Sequence, residues 1–134
     1  MKKIAVAVTG SVAAVKTPQL IRELEKKGFT VEAVLSEAAR KIITPQVIHW
    51  ACGRKPVTEL TGELEHVKLC GLEGEADALL IYPATSNTIS KIASGIDDTP
   101  VTTYAATALA SGTKIIIAPA MHQSMYDNPY VAEN

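Results

Sequence analysis

KIAVAVTGS, Lys3 to Ser11, is the stretch from which the fold is read. Ile4, Ala5, Val6, Ala7 and Val8 follow one another without a polar residue. A short strand that is apolar on both faces belongs in the middle of a parallel sheet covered on both sides. Gly10-Ser11 breaks it, and a helical pattern begins at once. Ala13, Ala14, Leu20, Ile21 and Leu24 share one face, with Arg22, Glu23, Lys26 and Lys27 on the other. Pro18 lies inside that pattern without a backbone donor, so a kink or a restart is expected there. Gly28 is expected to close the helix in the left-handed conformation.

The alternation continues outward. Thr30 to Leu35 reads as a second strand, and Ser36 as the cap of a helix carrying Ala38, Ala39, Ile42 and Ile43; Pro45 marks its end or a second start. Trp50 to Gly74 is the least regular part, with breaks and charges that predict loops and short elements. DALLIY, Asp77 to Tyr82, is a third strand that meets Pro83. A Ser/Thr-rich turn then leads to a helix near Ile89 to Ala93, which Gly95 ends. Pro100 to Ala110 is small and helical, and KIIIA, Lys114 to Ala118, is a fourth all-apolar strand before Pro119. Strands that alternate with helices predict an α/β, doubly wound parallel sheet in three layers. No repeat or boundary divides residues 1–134, so a single domain is expected.

Bulk properties narrow the function. The chain has 134 residues, enough for one compact core, and 47% are hydrophobic. With 4% aromatic residues, that core rests on Ile, Val, Leu and Ala. Charged residues make up 20%, and the net charge of -1 points to no nucleic-acid partner. No apolar run approaches the roughly 18 residues a membrane span needs, and the N-terminal run is too short for a signal peptide. Cys52 and Cys70 form neither a close metal pair nor a disulfide framework. The expectation is a cytoplasmic protein without a membrane partner.

Parallel sheets of this kind bind ligands beyond the carboxyl ends of their strands. Three strand ends carry polar turns: Thr9-Gly10-Ser11, Pro83-Ala84-Thr85-Ser86-Asn87-Thr88, and Pro119-Ala120-Met121-His122. All three are expected on one edge of the sheet. Gly10 and Ser11 open a helix, where backbone N–H groups and the helix dipole favour an anion, and Ser36 repeats the arrangement. Either the two serines grip one phosphate or they are ordinary caps. GxGxxG is absent, so a mononucleotide suits the turn better than a dinucleotide. The turn at 83–88 offers hydroxyls, an amide and backbone groups for a flat heterocycle; equally, Thr85 or Ser86 caps a helix there. Of the histidines, His49 beside Trp50 reads as structural, His66 precedes an apolar helix-like stretch, and His122 sits at a strand end with Met121 and Met125. No metal or triad spacing links them.

Taken together and in order, these segments resemble the homo-oligomeric flavin-containing cysteine decarboxylases, over nearly the whole chain. TGSVAAVKTPQLIRELEKKG is similar to that family's phosphate turn and helix, and LSEAARKIITP to its second phosphate contact. EHVKL resembles the segment with its active-site histidine, PATSNT its flavin motif, GIDD the segment after it, and PAMHQSMY its substrate motif PxMNxxMW. The resemblance implies a Rossmann-like flavoprotein fold and flavin mononucleotide (FMN) held by Gly10, Ser11, Ser36, Pro83, Ala84, Thr85, Ser86, Asn87, Thr88 and Asp97. It implies His66 as acid/base and Met121, His122 and Met125 as substrate-binding residues. It also implies a trimer or a dodecamer and a phosphorylated cysteinyl substrate, phosphopantothenoylcysteine of coenzyme A synthesis.

Two departures stand out. His122 replaces the family's carboxylate-binding asparagine, and Tyr126 its tryptophan. Members of the family continue into a flap, which in the coenzyme A enzymes carries a proton-donating cysteine; neither Cys52 nor Cys70 lies at that position, and the expectation is either that the sequence is a piece of a longer chain or that the flap is absent. Two other readings are a flavin prenyltransferase-like enzyme, against which PAMHQSMY argues, and a non-catalytic flavin-binding regulatory subunit, for which no charged docking segment speaks.

Overall fold

In the computed structural model, residues 2–59 and 74–119 are described. Among these residues four parallel strands form one sheet in the order β2-β1-β3-β4: β1 Lys3–Val8, β2 Thr30–Leu35, β3 Ala78–Ala84 and β4 Lys114–Pro119. β1 is central, as KIAVAV requires, with Ala5 to Val8 inaccessible to solvent. Its alternate residues face opposite layers. Val6 and Val8 pack with Ile21, Val31, Leu35 and Ile48 beneath helices α1 (Thr17–Lys26) and α2 (Pro45–Cys52). Ala5 and Ala7 pack with Leu79, Ile81 and Tyr104 beneath α3 (Ser86–Ala93) and α4 (Pro100–Ser111). The molecule is therefore a three-layer, doubly wound α/β domain. Among the described residues no helix is long and apolar enough to cross a membrane.

Pro18 acts as a restart. A five-residue 3-10 helix, Val12–Lys16, ends where α1 begins, and Pro18 occupies the first turn of α1, where a missing donor costs nothing. Gly28 takes φ +94 just beyond α1, a conformation that side chains with a Cβ avoid.

Several boundaries differ from those expected. The helix after Ser36 shrinks to a 3-10 turn, Ala39–Lys41, because Thr44-Pro45 starts α2 with its own cap: Thr44 Oγ1 accepts from Val47 N at 3.3 Å. α2 then extends to Cys52, inside the stretch expected to be irregular. Beyond it Val57 bridges to Val34 at the sheet edge. β3 continues through Pro83 to Ala84, and α3 starts at Ser86 rather than near Ile89. The small-residue run Tyr104 to Ala108 serves the interior, with Tyr104, Ala105 and Ala108 fully buried.

β4 departs furthest from expectation. KIIIA reads as a strand buried on both faces, yet Ile116 is 44% and Ile117 39% exposed. Among the described residues β4 is the last strand of the sheet, and Ile116 pairs with Leu80 on the face that α1 and α2 cover over β1 and β2.

Candidate functional site

The chain leaves β1 for β2 on one side and returns to β3 on the other, so the winding reverses between β1 and β3. Adjacent loops there diverge and open a crevice, which is where such sheets bind ligands. At that point lies a cleft of about 530 Å³ that brings together Gly10 from the end of β1, Ser36 from the end of β2, and Thr85, Asn87 and Thr88 from the end of β3. The convergence expected from the first two polar turns is thus present. Glu37, Ala38, Lys41, Lys91, Thr99 and Thr102 complete the lining.

Each polar group has a definite local origin. Ser11 accepts from Ala13 N at 3.2 Å and Ser36 from Ala39 N at 3.1 Å. Ser11 therefore caps the 3-10 helix Val12–Lys16, which runs straight on into α1, and Ser36 closes the turn that leads into Ala39–Lys41; of the two, Ser36 lines the cleft. The cap uses an oxygen lone pair and leaves each hydroxyl hydrogen to donate elsewhere, so capping and anion contact coexist. Thr85 caps α3, accepting from Thr88 N at 3.2 Å, and donates its own hydroxyl to Thr88 Oγ1 at 3.0 Å. That leaves exposed Asn87 as the side-chain amide of the turn. Pro83 and Ala84 are buried and contribute backbone to the turn; Ser86 is half-buried in the first turn of α3.

Asp97 accepts from the Thr103 hydroxyl and lines a second, adjoining hollow of about 480 Å³ with Asp98, Glu59 and Arg40. Asp98 holds Lys91 Nζ with both oxygens, at 2.9 and 3.1 Å, and so pins a cation at the rim of the first cleft. Thr99 and Thr102 form a reciprocal cap at the start of α4: Thr102 N donates to Thr99 Oγ1 at 3.1 Å, and Thr99 N donates to Thr102 Oγ1 at 2.9 Å. Among the described residues no cluster of His, Cys, Asp and Glu has metal-binding geometry. His66, Met121, His122 and Met125, as well as Cys70, lie outside the described residues.

Sequence reasoning gave Thr9, Lys41 and Lys91 no individual role. The Thr99-x-x-Thr102 spacing after GIDD, with Pro100 at the first helical position, marks the start of α4 beside the cleft. Lys91 shows only as a helix surface residue until the chain doubles back at Gly95 to bring Asp98 beside it.

The Flavoprotein family profile matches residues 1–134. The chain is 58% identical over 134 residues to the coenzyme A biosynthesis bifunctional protein CoaBC of Thermococcus kodakarensis, covering 99% of this chain and 33% of that protein. It thus spans about a third of the length of the curated relatives it matches. Among solved structures it superposes on the FMN-dependent cysteine decarboxylase SpaF with a TM-score of 0.85 at 32% identity, covering 99% of this chain and 76% of that one. For the FMN-dependent cysteine decarboxylase TvaF from thioviridamide biosynthesis the TM-score is 0.88 at 27% identity, with 99% and 82% covered.

Proposed function

The chain belongs to the Flavoprotein family, and from that membership we propose that its cleft holds FMN and serves the decarboxylation of a cysteinyl carboxylate, that of 4'-phosphopantothenoylcysteine in coenzyme A biosynthesis. One observation carries the reading: Gly10, Ser36 and the Thr85–Thr88 turn meet in a single cleft at the winding reversal. Their chemistry fits the cofactor. The Ser36 hydroxyl, with its hydrogen to spare, and a glycine that admits close approach suit one phosphate, with the Ser11 hydroxyl on the turn beside them. The turn at 85–88 supplies an amide and backbone groups for a flat ring. The structural relatives SpaF and TvaF, named as FMN-dependent cysteine decarboxylases, support the cofactor and the reaction type, and the bifunctional coenzyme A protein supports the substrate.

Bound flavin supplies the two-electron oxidation that turns the cysteinyl thiolate into a thioaldehyde, after which the carboxylate β to the thiocarbonyl leaves as carbon dioxide. The chain's own residues bind, orient and move protons. In this reading Ser11 and Ser36 donate to the phosphate, Asp98 fixes Lys91 at the rim of the cleft, His66 is the acid/base, and His122 with Met121 and Met125 holds the substrate. Asp97 acts through the Thr103 contact that fixes the loop before α4. The protein works in the cytoplasm as a trimer or a multiple of trimers. The exposed Ile116 and Ile117 of β4, and Val12 and Val15, 78% and 56% exposed, are apolar surface for that assembly; light scattering of the flavin-loaded protein reads it directly.

The deciding experiment titrates purified protein with FMN and identifies any released cofactor by chromatography. It then supplies phosphopantothenoylcysteine and follows carbon dioxide. A yellow protein that releases carbon dioxide is expected. A colourless protein that gains no flavin would overturn the reading.

A further inference from the structure

β1 and β3 run side by side as far as Ala7 and Ile81, and two residues later the ladder meets Pro83, which has no N–H to donate. Thr9, 1% exposed, lies beside it and bonds to its carbonyl instead. Its backbone N donates to Pro83 O at 3.3 Å, and its hydroxyl donates to the same oxygen. The hydroxyl also accepts from Thr85 N at 3.0 Å, while Thr9 O accepts from Ser11 N at 2.9 Å. One buried side chain therefore joins the residue before Gly10-Ser11 to the residue that caps α3. The two turns it joins both contribute to the cleft, through Gly10 on one side and Thr85 and Thr88 on the other.

We propose that Thr9 is a positioning residue: its hydroxyl clamps the Gly10-Ser11 turn to the Thr85–Thr88 turn and so sets the span across which FMN must fit. The proposal rests on the flavin reading of the cleft. The hydroxyl's donor and acceptor roles are both used, at a buried site. Valine has the shape of threonine but neither role, and it leaves Thr85 N and one Pro83 contact unmade. Serine keeps both.

The test compares Thr9→Val, Thr9→Ser and wild type by fluorescence titration of the flavin-free protein with FMN, alongside hydrogen exchange of the Thr85 amide. Loss of the clamp is expected to weaken FMN binding about tenfold or more in Thr9→Val, with Thr9→Ser within about threefold of wild type. In the flavin-free proteins the Thr85 amide should exchange faster in Thr9→Val and at the wild-type rate in Thr9→Ser. Thr9→Ala, which removes the same bonds without adding a methyl, takes the place of Thr9→Val if that variant does not fold. Unchanged FMN affinity in the variant lacking the hydroxyl, even with a lowered melting temperature, would overturn the proposal, as would Thr9→Ser binding as weakly as Thr9→Val. A wild type that takes up no FMN overturns the flavin reading instead, and the Thr85 exchange rates then still decide whether the clamp exists.

Discussion

Gly10 and Ala38 meet with no room between them: a Cβ at Gly10 would lie 2.5 Å from the Ala38 methyl and 3.2 Å from the Ala38 carbonyl carbon. The ends of β1 and β2 are thus packed backbone to side chain at the floor of the cleft. Gly10→Ala forces them apart. The expected cost is about 1–3 kcal/mol of stability, as for other overpacked sites, together with weaker FMN binding. Gly10→Ala combined with Ala38→Gly should recover much of the loss, because the second change removes the nearest clashing atom. Denaturant titrations of both single variants and the double variant measure the coupling. Additive effects would show that the Gly10 backbone, rather than this contact, sets the requirement.

His66→Asn is expected to retain FMN binding and lose turnover by about 10² to 10⁴, the usual contribution of a general acid–base group. Turnover per bound flavin, measured on a form of the protein that carries the flap, separates this from a structural role. A structural histidine would instead lower the melting temperature and flavin occupancy and leave turnover per bound flavin unchanged.

Burial pushes the Cys52 thiol above its ordinary value of 9.0, and the hydrogen bond to Glu75 raises the Lys3 ammonium above 10.5. In both cases the native state keeps a proton that the unfolded chain has released. Stability is therefore complete below about pH 9 and falls as pH rises through the native values. In a Cys70→Ser background, Cys52→Ala should flatten the first part of that fall. Urea midpoints from pH 7 to pH 10.5 show the effect as a smaller drop, whatever the offset in absolute stability.

Glu25 joins three segments through one oxygen. Oε1 accepts from Val31 N at 3.1 Å, at the start of β2, and from Arg54 Nη1 at 3.1 Å, beyond α2. Arg54 Nη1 also donates to Val31 O and Cys52 O. Glu25→Ala should cost about 1–2 kcal/mol, mostly from the orphaned Val31 amide, because the ion pair itself is screened at the surface. Glu25→Gln keeps an acceptor for Val31 N and should cost less. Neither change is expected to alter FMN affinity, since the cluster lies away from the cleft, and paired denaturation and flavin titrations check both statements.

The central strands were legible because burial on both faces leaves nothing for a polar residue to do, so Ala5 to Val8 and Leu79 to Ile81 show as unbroken apolar runs. The meeting of Gly10, Ser36 and Thr85 was legible for a related reason: every parallel strand delivers its carboxyl end to the same edge. Exposure of Ile116 and Ile117 was not legible, because a strand's place in the sheet is decided by its neighbours and not by its own residues. Thr44-Pro45 did carry a helix start, but the apolar Ile42-Ile43 just before it masked the boundary. Thr9 was hidden for another reason. Threonine favours strands, and its hydroxyl reads as incidental until Pro83 O and Thr85 N, 74 and 76 residues later, are seen to meet it.

Strand order also imposes a timetable on synthesis. Lys3 can pair with Thr30 soon after both have left the ribosome, but Ile4 waits for Ala78 before its other edge is covered. Throughout that interval β1, the most apolar strand and the future centre of the sheet, carries an open row of backbone donors and acceptors. Non-local parallel pairing is slow, and an unpaired edge invites association with other chains. A nascent chain halted between residues 35 and 78 therefore has its first βαβ unit but no partner for β1's second edge, and the stretch that anchors the finished domain is then its most adhesive surface.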